Sequence, residues 1–227
     1  MSMRTFFRGG YFTIDGSARG IRWPCPGVRE AMASKVWLLI LGVALSGLLI
    51  DTPVMAADGE EIWGLLRSGG QIVVMRHAST ERGVGDPPGF RLEDCQTQRN
   101  LSAAGREEAR WLGQAFRARS IPVGQVLSSR WCRCLETAQL AFGTVEPWPP
   151  LDSFFNERSR ADAQTQAVRK LIADRPPDGN LILVSHQVNI TALTQLFPAP
   201  GEMIVLTPLG NGEFRVAGRL AANGPFP

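Results

Sequence analysis

Two short, uninterrupted apolar runs place the strongest constraint on how this chain can fold. Residues 72–75 and 181–184 each consist of four apolar side chains. Runs of this kind are typical of strands in a sheet that is covered on both faces. The chain has 227 residues and two histidines, and each histidine lies two positions after one of these runs, in the stretches QIVVMRHAST and LILVSH. The sequence therefore brings both histidines to the ends of strands that are expected to be buried.

Helical patterns alternate with these strands. Ser102 is a good N-cap, and the apolar face that follows predicts a helix to about residue 119. A helix over 161–174 is expected to pack through Ala167, Leu171 and Ala173. The other predicted elements are helices over 60–67, 131–142 and 188–196, a strand over 125–127, and a hairpin of 203–206 with 214–216. This order predicts an α/β fold, a three-layer α/β/α sandwich with a largely parallel central sheet.

The first 56 residues have the pattern of a secretory leader. An apolar segment of 15 residues, 36–50, follows Lys35, and small residues lead up to Ala57. We expect cleavage after Ala56 or Ala57 and export to the periplasm or the medium. An uncleaved membrane anchor is the alternative, although a span requires about 20 apolar residues. We therefore expect no stable membrane span after cleavage.

The start of the leader allows two interpretations. A hydrophilic stretch of 35 residues precedes the apolar segment, which is long for a signal peptide. Translation from Met32 would make residues 1–31 a start-site artefact and residues 32–56 the signal peptide. The other interpretation is a functional N-terminal extension. In either case residues 57–227 are predicted to form a single domain.

The charge of that domain excludes one class of partner. Six of the 24 basic and three of the 21 acidic residues lie in residues 1–56, so residues 57–227 carry 18 of each. A formally neutral domain has no general electrostatic footprint for nucleic acid. Any anion must be bound by a local cluster of basic side chains.

Such a cluster is predicted at the carboxyl ends of the strands, where ligands bind in sheets of this class. Arg76 and His77 end one strand, His186 ends another, and Arg133 lies in the first turn of a helix that follows Ser128-Ser129. The planar fork of arginine matches phosphate oxygens, and a neutral histidine is a nucleophile. These residues together indicate phosphoryl transfer through a phosphohistidine.

Four stretches resemble motifs of the histidine phosphatase superfamily, which has the phosphoglycerate mutase-like or histidine acid phosphatase fold. VVMRHAST (73–80) resembles the family's strand followed by Arg-His-Gly-x-Thr, with Ala78 in place of glycine. NLSAAG (100–105) resembles its helix start, SSRWCRCLETA (128–138) its second arginine motif, and Val184-Ser-His186 the strand that carries the second histidine. The resemblance covers about residues 58–220.

The resemblance implies a role for each matching residue. His77 would be the phosphorylated nucleophile, while Arg76, Arg133 and His186 would hold the phosphoryl oxygens and Thr80 would be a further donor. No cofactor and no metal are implied. The family takes its general acid from the segment after the second helix, which here is LDSFFNERS (151–159). Glu157 is the first candidate and Asp152 the second, and the alternative is that both are solvated loop charges.

The cysteines allow a disulfide in an exported chain. Cys25 lies in the leader, so three remain, and Cys132 and Cys134 are too close for an easy bridge. No zinc set can be completed, and the motif match places Cys132 beside Arg133, with Cys95 in the long loop after His77. A Cys95–Cys132 disulfide is therefore expected to hold that loop over the site, with Cys134 reduced.

Three functions are consistent with these residues. The first is an exported phosphomonoesterase that acts on a small or envelope-associated phosphate ester. The second is a phosphoglycerate-type mutase, against which export argues because its substrates are cytosolic. The third is a catalytically silent phosphate-binding or interaction module, against which the presence of His77, His186, Arg76 and Arg133 argues.

Overall fold

The computed structural model of the chain describes residues 59–83, 85–174 and 178–221. The predicted leader, its cleavage site and the alternative start at Met32 lie outside these residues and stay predictions. No helix among the described residues is long and apolar enough to cross a membrane.

Helices and strands alternate along the described chain much as the sequence predicts. The elements are α1 (Gly59–Arg67), β1 (Ile72–Arg76), α2 (Ala103–Ala118), β2 (Val123–Ser128), α3 (Cys132–Phe142), β3 (Glu146–Pro147), α4 (Ala161–Asp174), β4 (Asn180–Ser185), α5 (Gln187–Thr194), β5 (Met203–Gly210) and β6 (Glu213–Leu220). Single 3-10 turns lie at Cys95–Thr97, Pro149–Leu151 and Arg158–Arg160. The sequence did not predict β3, because it is only two residues long and contains a proline.

The six strands form one sheet in the order β3-β2-β4-β1-β5-β6. The pairs β3–β2, β2–β4 and β4–β1 are parallel, while β5 pairs antiparallel with both β1 and β6. The predicted α/β class is confirmed, and so is the predicted hairpin, which is formed by β5 and β6. Since β1 and β4 are parallel neighbours near the centre of the sheet, their carboxyl ends lie side by side.

Strict alternation along the central strands builds one core on each face of the sheet. In β1, Val73 and Met75 pack with α1, α2 and α3, whereas Ile72 and Val74 pack with α4 and α5. Side chains in a strand point to opposite faces in turn, so a continuous apolar run supplies both cores. This explains why the runs 72–75 and 181–184 contain no polar residue, and it fixes the register of the two strands.

The contact face of α4 is shifted by about one position from the predicted one, although Leu171 packs against the core as predicted. The helix buries Gln164, Val168 and Ile172, whereas Ala173 is exposed. The polar Gln164 faces inward because its side-chain amide donates to the backbone oxygens of Pro149, Pro150 and Asp152. These bonds offset the cost of burying an amide.

A close backbone contact fixes the loop that follows β1. Ser102 caps α2 by accepting a hydrogen bond from the Gly105 N–H at 3.0 Å. A Cβ atom at Gly105 would lie 1.8 Å from the Ser79 carbonyl oxygen, so only glycine allows α2 to approach this loop. The start of α2 is therefore packed directly against the segment that carries His77.

Candidate active site

The carboxyl ends of β1 and β4 bring the two histidines together. Arg76 and Ser185 are register partners, and the His77 N–H donates to the Ser185 carbonyl oxygen at 3.0 Å. The ring centroids of His77 and His186 are 5.5 Å apart, and each residue is 4% exposed. The two imidazoles therefore form one buried pair at the floor of a cleft of about 800 Å³.

One hydrogen bond determines where His77 carries its proton. Its Nδ1 lies 2.9 Å from the Ala78 carbonyl oxygen, which can only accept a hydrogen bond. Nδ1 is therefore the donor, and in the neutral ring the lone pair is on Nε2. Ala78 is itself buried, and its N–H donates to Thr137 Oγ1 at 3.1 Å. The backbone thus fixes both the position and the tautomer of the imidazole.

Five arginines line the same cleft, and three of them, Arg76, Arg99 and Arg133, share one feature. The Nε atom of each is buried and has no hydrogen-bond partner among the described residues. Buried donors normally find a partner, and an unpaired one costs about 1–3 kcal/mol. An oxyanion in the cleft is a partner that three such groups can share.

Asp86, from the long loop after β1, also lies in this cleft. Its carboxylate accepts from Arg133 Nη1 at 2.7 Å and Nη2 at 3.1 Å, from the Arg99 N–H at 3.0 Å and from Trp131 Nε1 at 2.9 Å. The side chains of Arg133 and Asp86 are 5% and 7% exposed. Asp86 therefore neutralises one of the three arginines and holds the loop to the N-terminus of α3.

The electrostatic surroundings keep both imidazoles neutral. Burial, followed by the charge of Arg133, lowers the pKa of His77 from 6.5 to about 3. Burial, followed by the adjacent His77, lowers the pKa of His186 well below its ordinary value. Burial and the charges of Arg99 and Arg133 also lower the pKa of Arg76. The cleft thus disfavours any further positive charge and favours an anion.

The pKa of Asp86 moves in the direction that keeps its charge. Burial alone would raise this pKa, but the hydrogen bonds and the charge of Arg133 outweigh burial and hold it below its ordinary value. Asp86 is therefore an ionised partner of Arg133.

A second network of hydrogen bonds holds His186 in position. Ser129 Oγ lies 2.8 Å from His186 Nε2 and 3.4 Å from Asp152 Oδ1. Asp152 is fully buried, and Arg130 donates to it from its backbone N–H at 2.9 Å and from Nε and Nη2 at 2.8 and 2.6 Å. The structure places Asp152 beneath the cleft rather than in its lining, with both oxygens occupied.

The remaining predicted residues separate into two groups. Glu157 lines the cleft at its rim, where its side chain is 65% exposed and lies 3.4 Å from Arg160. Thr80 does not line the cleft, because its backbone forms a bridge with Leu101. The structure thus places one carboxylate candidate at the cleft and does not place Thr80 there.

The long loop after β1 is attached to α3 by a disulfide between Cys95 and Cys132. The Cys132 N–H also donates to Gln98 Oε1 at 3.0 Å. Cys134 is free and buried, and burial raises the pKa of its thiol to about 12, so it stays a thiol. The described residues contain no group of three or more histidine, cysteine or acidic side chains that could hold a metal ion.

Arg99 and Asp86 are two charged cleft residues beside the histidines that the sequence did not predict. Arg99 directly precedes the matched NLSAAG stretch, and that position is the only signal for it. Asp86 lies in a glycine- and proline-rich segment and contacts Arg133 across 47 positions, so no local pattern marks it.

Asp86→Asn is expected to weaken folding and to strengthen phosphate binding. Removing one charge of a buried pair leaves the other uncompensated and typically costs about 3–5 kcal/mol. The fork of Arg133 is then free for an anion, so inorganic phosphate should raise the melting temperature of the variant more than that of the original chain. Asp94→Asn, in the same loop but 31% exposed, is the control. Weaker phosphate binding to Asp86→Asn would mean that the carboxylate orients Arg133 instead.

The buried neutral histidines predict an acid-sensitive fold. The pKa of His77 is about 3 in the folded chain and 6.5 ordinarily, so the unfolded chain binds the extra proton between these values. The free energy of unfolding should therefore fall as pH decreases, by about 2 kcal/mol for His77 between about pH 6.5 and 4.5, and His186 should act in the same direction. Urea unfolding of the original chain and of His77→Gln in phosphate-free buffer measures this. Equal pH slopes in the two proteins would contradict a neutral His77.

Comparison with known proteins gives a match to one family model and several similar solved structures. Residues 72–160 match the model of the histidine phosphatase superfamily (branch 1), and no curated protein matches the chain. Similar solved structures include the protein histidine phosphatase SixA complexed with tungstate, which is 14% identical with a TM-score of 0.49 over 67% of this chain and 97% of that chain. They also include phosphoserine phosphatase from Entamoeba histolytica in complex with 3-phosphoglyceric acid, 12% identical with a TM-score of 0.49 over 66% and 96%.

The matched segment begins with β1 and contains His77, the long loop, and α3 with Arg133. His186 lies beyond the match, and β4 brings it to the same cleft. Over residues 72–160 the chain is therefore similar to the histidine phosphatase superfamily.

Proposed function

We propose that this protein is a phosphomonoesterase that hydrolyses its substrate through a phosphohistidine on His77. The observation that carries the proposal is the arrangement around Nε2 of His77. This atom holds the lone pair of a neutral imidazole because Nδ1 donates to Ala78, and the same cleft contains Arg76, Arg99 and Arg133. A neutral nucleophile beside unpaired guanidinium donors suits a phosphoryl group.

The charges in the cleft match a phosphomonoester dianion. Beside the imidazoles, the guanidinium groups of Arg76, Arg99 and Arg133 and the carboxylate of Asp86 leave a formal charge of about two positive units when both imidazoles are neutral. Binding a dianion would neutralise this charge and remove part of the cause that lowers the pKa of His77. The approach of the substrate therefore makes the imidazole a better base at the moment when it acts as the nucleophile.

The reaction would have two steps. In the first step, Nε2 of His77 attacks phosphorus and the bond from phosphorus to the leaving oxygen breaks. The leaving oxygen takes the carboxyl proton of Glu157, and His77 carries the phosphoryl group. In the second step, water attacks phosphorus and gives a proton to the Glu157 carboxylate, and the bond from phosphorus to Nε2 breaks. Phosphate is released and both side chains return to their starting states.

Replacement of His77 tests the nucleophile. His77→Ala should lower kcat/KM for p-nitrophenyl phosphate by at least about 10³-fold, without added metal, because the covalent route is lost. Labelling with ³²P-phosphate ester should give an acid-labile phosphoenzyme in the original chain and none in the variant. Arg110→Ala is the control, since Arg110 is exposed on α2 and pairs with Glu107. Turnover retained by His77→Ala would exclude this mechanism.

Replacement of Glu157 tests the acid. Glu157→Gln should slow the hydrolysis of alkyl phosphates, whose leaving oxygen needs a proton, by about 10²-fold or more. It should change much less the release of p-nitrophenolate, which leaves without a proton. Asp162→Asn, near the start of α4, is a control for loss of a nearby carboxylate. If both substrates are slowed equally, Glu157 is not the acid.

A silent phosphate-binding module is the second candidate. It is favoured by Asp86, which already occupies the fork of Arg133. A folded chain that binds inorganic phosphate but turns over no ester from a broad panel would identify this function.

A further inference from the structure

The side chains at the floor of the cleft differ in polarity from two of those at its mouth. The floor holds the guanidinium and imidazole groups, whereas Phe155 and Phe197 lie at the mouth with 47% and 68% exposure. Only one other large apolar side chain is exposed among the described residues, Leu209, and it lies outside the cleft. Two of these three side chains therefore line the same opening.

The segment of Phe197 is fixed to the floor of the cleft. Gln195 ends α5 in the left-handed conformation, with φ 63°, and turns the chain sharply. Arg76 Nη1 then donates to the Pro198 carbonyl oxygen at 3.0 Å, and Arg219 Nη2 donates to that of Phe197 at 3.1 Å. The exposed ring is thus carried by a backbone that Arg76 itself holds.

The segment of Phe155 is fixed in a similar way. Phe154 is 2% exposed, and its carbonyl oxygen accepts from the Glu157 N–H at 3.1 Å. The Phe155 N–H lies 3.3 Å from Ser153 Oγ, and the Arg158 guanidinium lies 5.4 Å from the centre of the Phe155 ring. Phe155 is therefore held at the mouth while its neighbour Phe154 is buried.

Apolar side chains connect these rings to the rest of the cleft. Val188 and Ala192, on α5, line the cleft together with Phe155 and Phe197. A phosphoryl group attacked by His77 must have its leaving oxygen on the side opposite Nε2, since attack and departure are in line. The leaving group then extends from the floor towards the mouth and contacts this apolar lining.

We propose that the cleft mouth is an apolar subsite for the leaving group. The substrates are then phosphomonoesters of alkyl or aryl alcohols rather than of sugars. This inference rests on the proposed function, because the phosphoryl group must first occupy the site at His77. Polar side chains, among them Asn156, Gln187 and Gln195, also line the cleft, but alkyl or aryl carbon placed against the two exposed rings would be removed from water.

Binding of phosphonates, which cannot be hydrolysed, tests the subsite apart from catalysis. Hexylphosphonate and phenylphosphonate separate a chain-like from an aromatic occupant, with methylphosphonate as reference, and calorimetry on the full chain gives each Kd. We expect at least one of the two to bind about tenfold or more tighter than methylphosphonate. Equal binding of all three would overturn the proposal even if the chain hydrolyses esters.

Variants of the two rings locate the effect. Phe155→Ser and Phe197→Ser should each reduce the preference by about fivefold. Phe155→Leu and Phe197→Leu should largely retain it, and Leu209→Ser should leave it unchanged. A preference that survives both serine variants would overturn the proposal. So would serine variants that change only the sedimentation of the chain, because the rings would then form a contact between copies.

Turnover separates the two hypotheses. If kcat/KM for hexyl phosphate, which like glucose 6-phosphate is an ester of a primary alcohol, exceeds that for glucose 6-phosphate by about tenfold or more, both hold. Turnover with glucose 6-phosphate preferred overturns the subsite alone. Tight hexylphosphonate binding without turnover of any ester overturns the proposed hydrolysis and retains the subsite.

Discussion

The close approach of three guanidinium groups in one cleft is the constraint on which the rest of this structure depends. Arg76, Arg99 and Arg133 repel one another where little water screens their charges. One carboxylate, that of Asp86, offsets part of the repulsion, and burial makes this pair costly to break. The folded chain therefore keeps a net positive charge in the cleft. A bound anion would neutralise this charge. Such a site is preorganised, since no group has to acquire its charge when the substrate binds.

The sheet stabilises the fold against the repulsion of these arginines, because it is buried on both faces and its strands are fixed in register. Leu183 and Val184, neighbours in β4, belong to different cores, so neither face can shift without disturbing the other. The carboxyl ends of β1 and β4 are consequently held in place. The loop after β1 is less regular, and the disulfide of Cys95 with Cys132 attaches it to α3. Covalent attachment restrains the part of the site that strand pairing does not reach.

The elements that the sequence predicted best are those set by local pattern. The apolar runs identified β1 and β4, and strand ends in a parallel sheet meet at one edge, so His77 and His186 could be predicted as neighbours. Arg133 followed from its place at a helix start. Asp86 could not be predicted, because its partners are set by how a long loop folds back. The prediction of Thr80 as a phosphate donor followed the motif alone, and in the structure its backbone forms a bridge with Leu101.

The two candidates for the general acid, Asp152 and Glu157, could not be distinguished from the sequence. Asp152 and Glu157 lie five positions apart in one irregular segment, but Asp152 is fully buried and Glu157 is exposed at the rim. Asp152 has both oxygens occupied by Arg130 and Ser129, so it is unsuited to exchange a proton with a substrate. Its ion pair with Arg130 instead fixes the chain next to Ser129, whose hydroxyl contacts His186.

That hydroxyl has one proton and two acceptors within reach. His186 Nε2 at 2.8 Å is closer than Asp152 Oδ1 at 3.4 Å, which assigns the proton to the bond with the imidazole. His186 then accepts at Nε2 and carries its own hydrogen on Nδ1. The two histidines, similar in sequence context, would thus both be neutral with the hydrogen on Nδ1. They differ in the contacts of Nε2. Nε2 of His186 accepts a hydrogen bond from Ser129. His77 donates from Nδ1 to the Ala78 carbonyl oxygen, so the lone pair on its Nε2 is available for nucleophilic attack. The difference between nucleophile and supporting donor therefore comes from the neighbours of each ring.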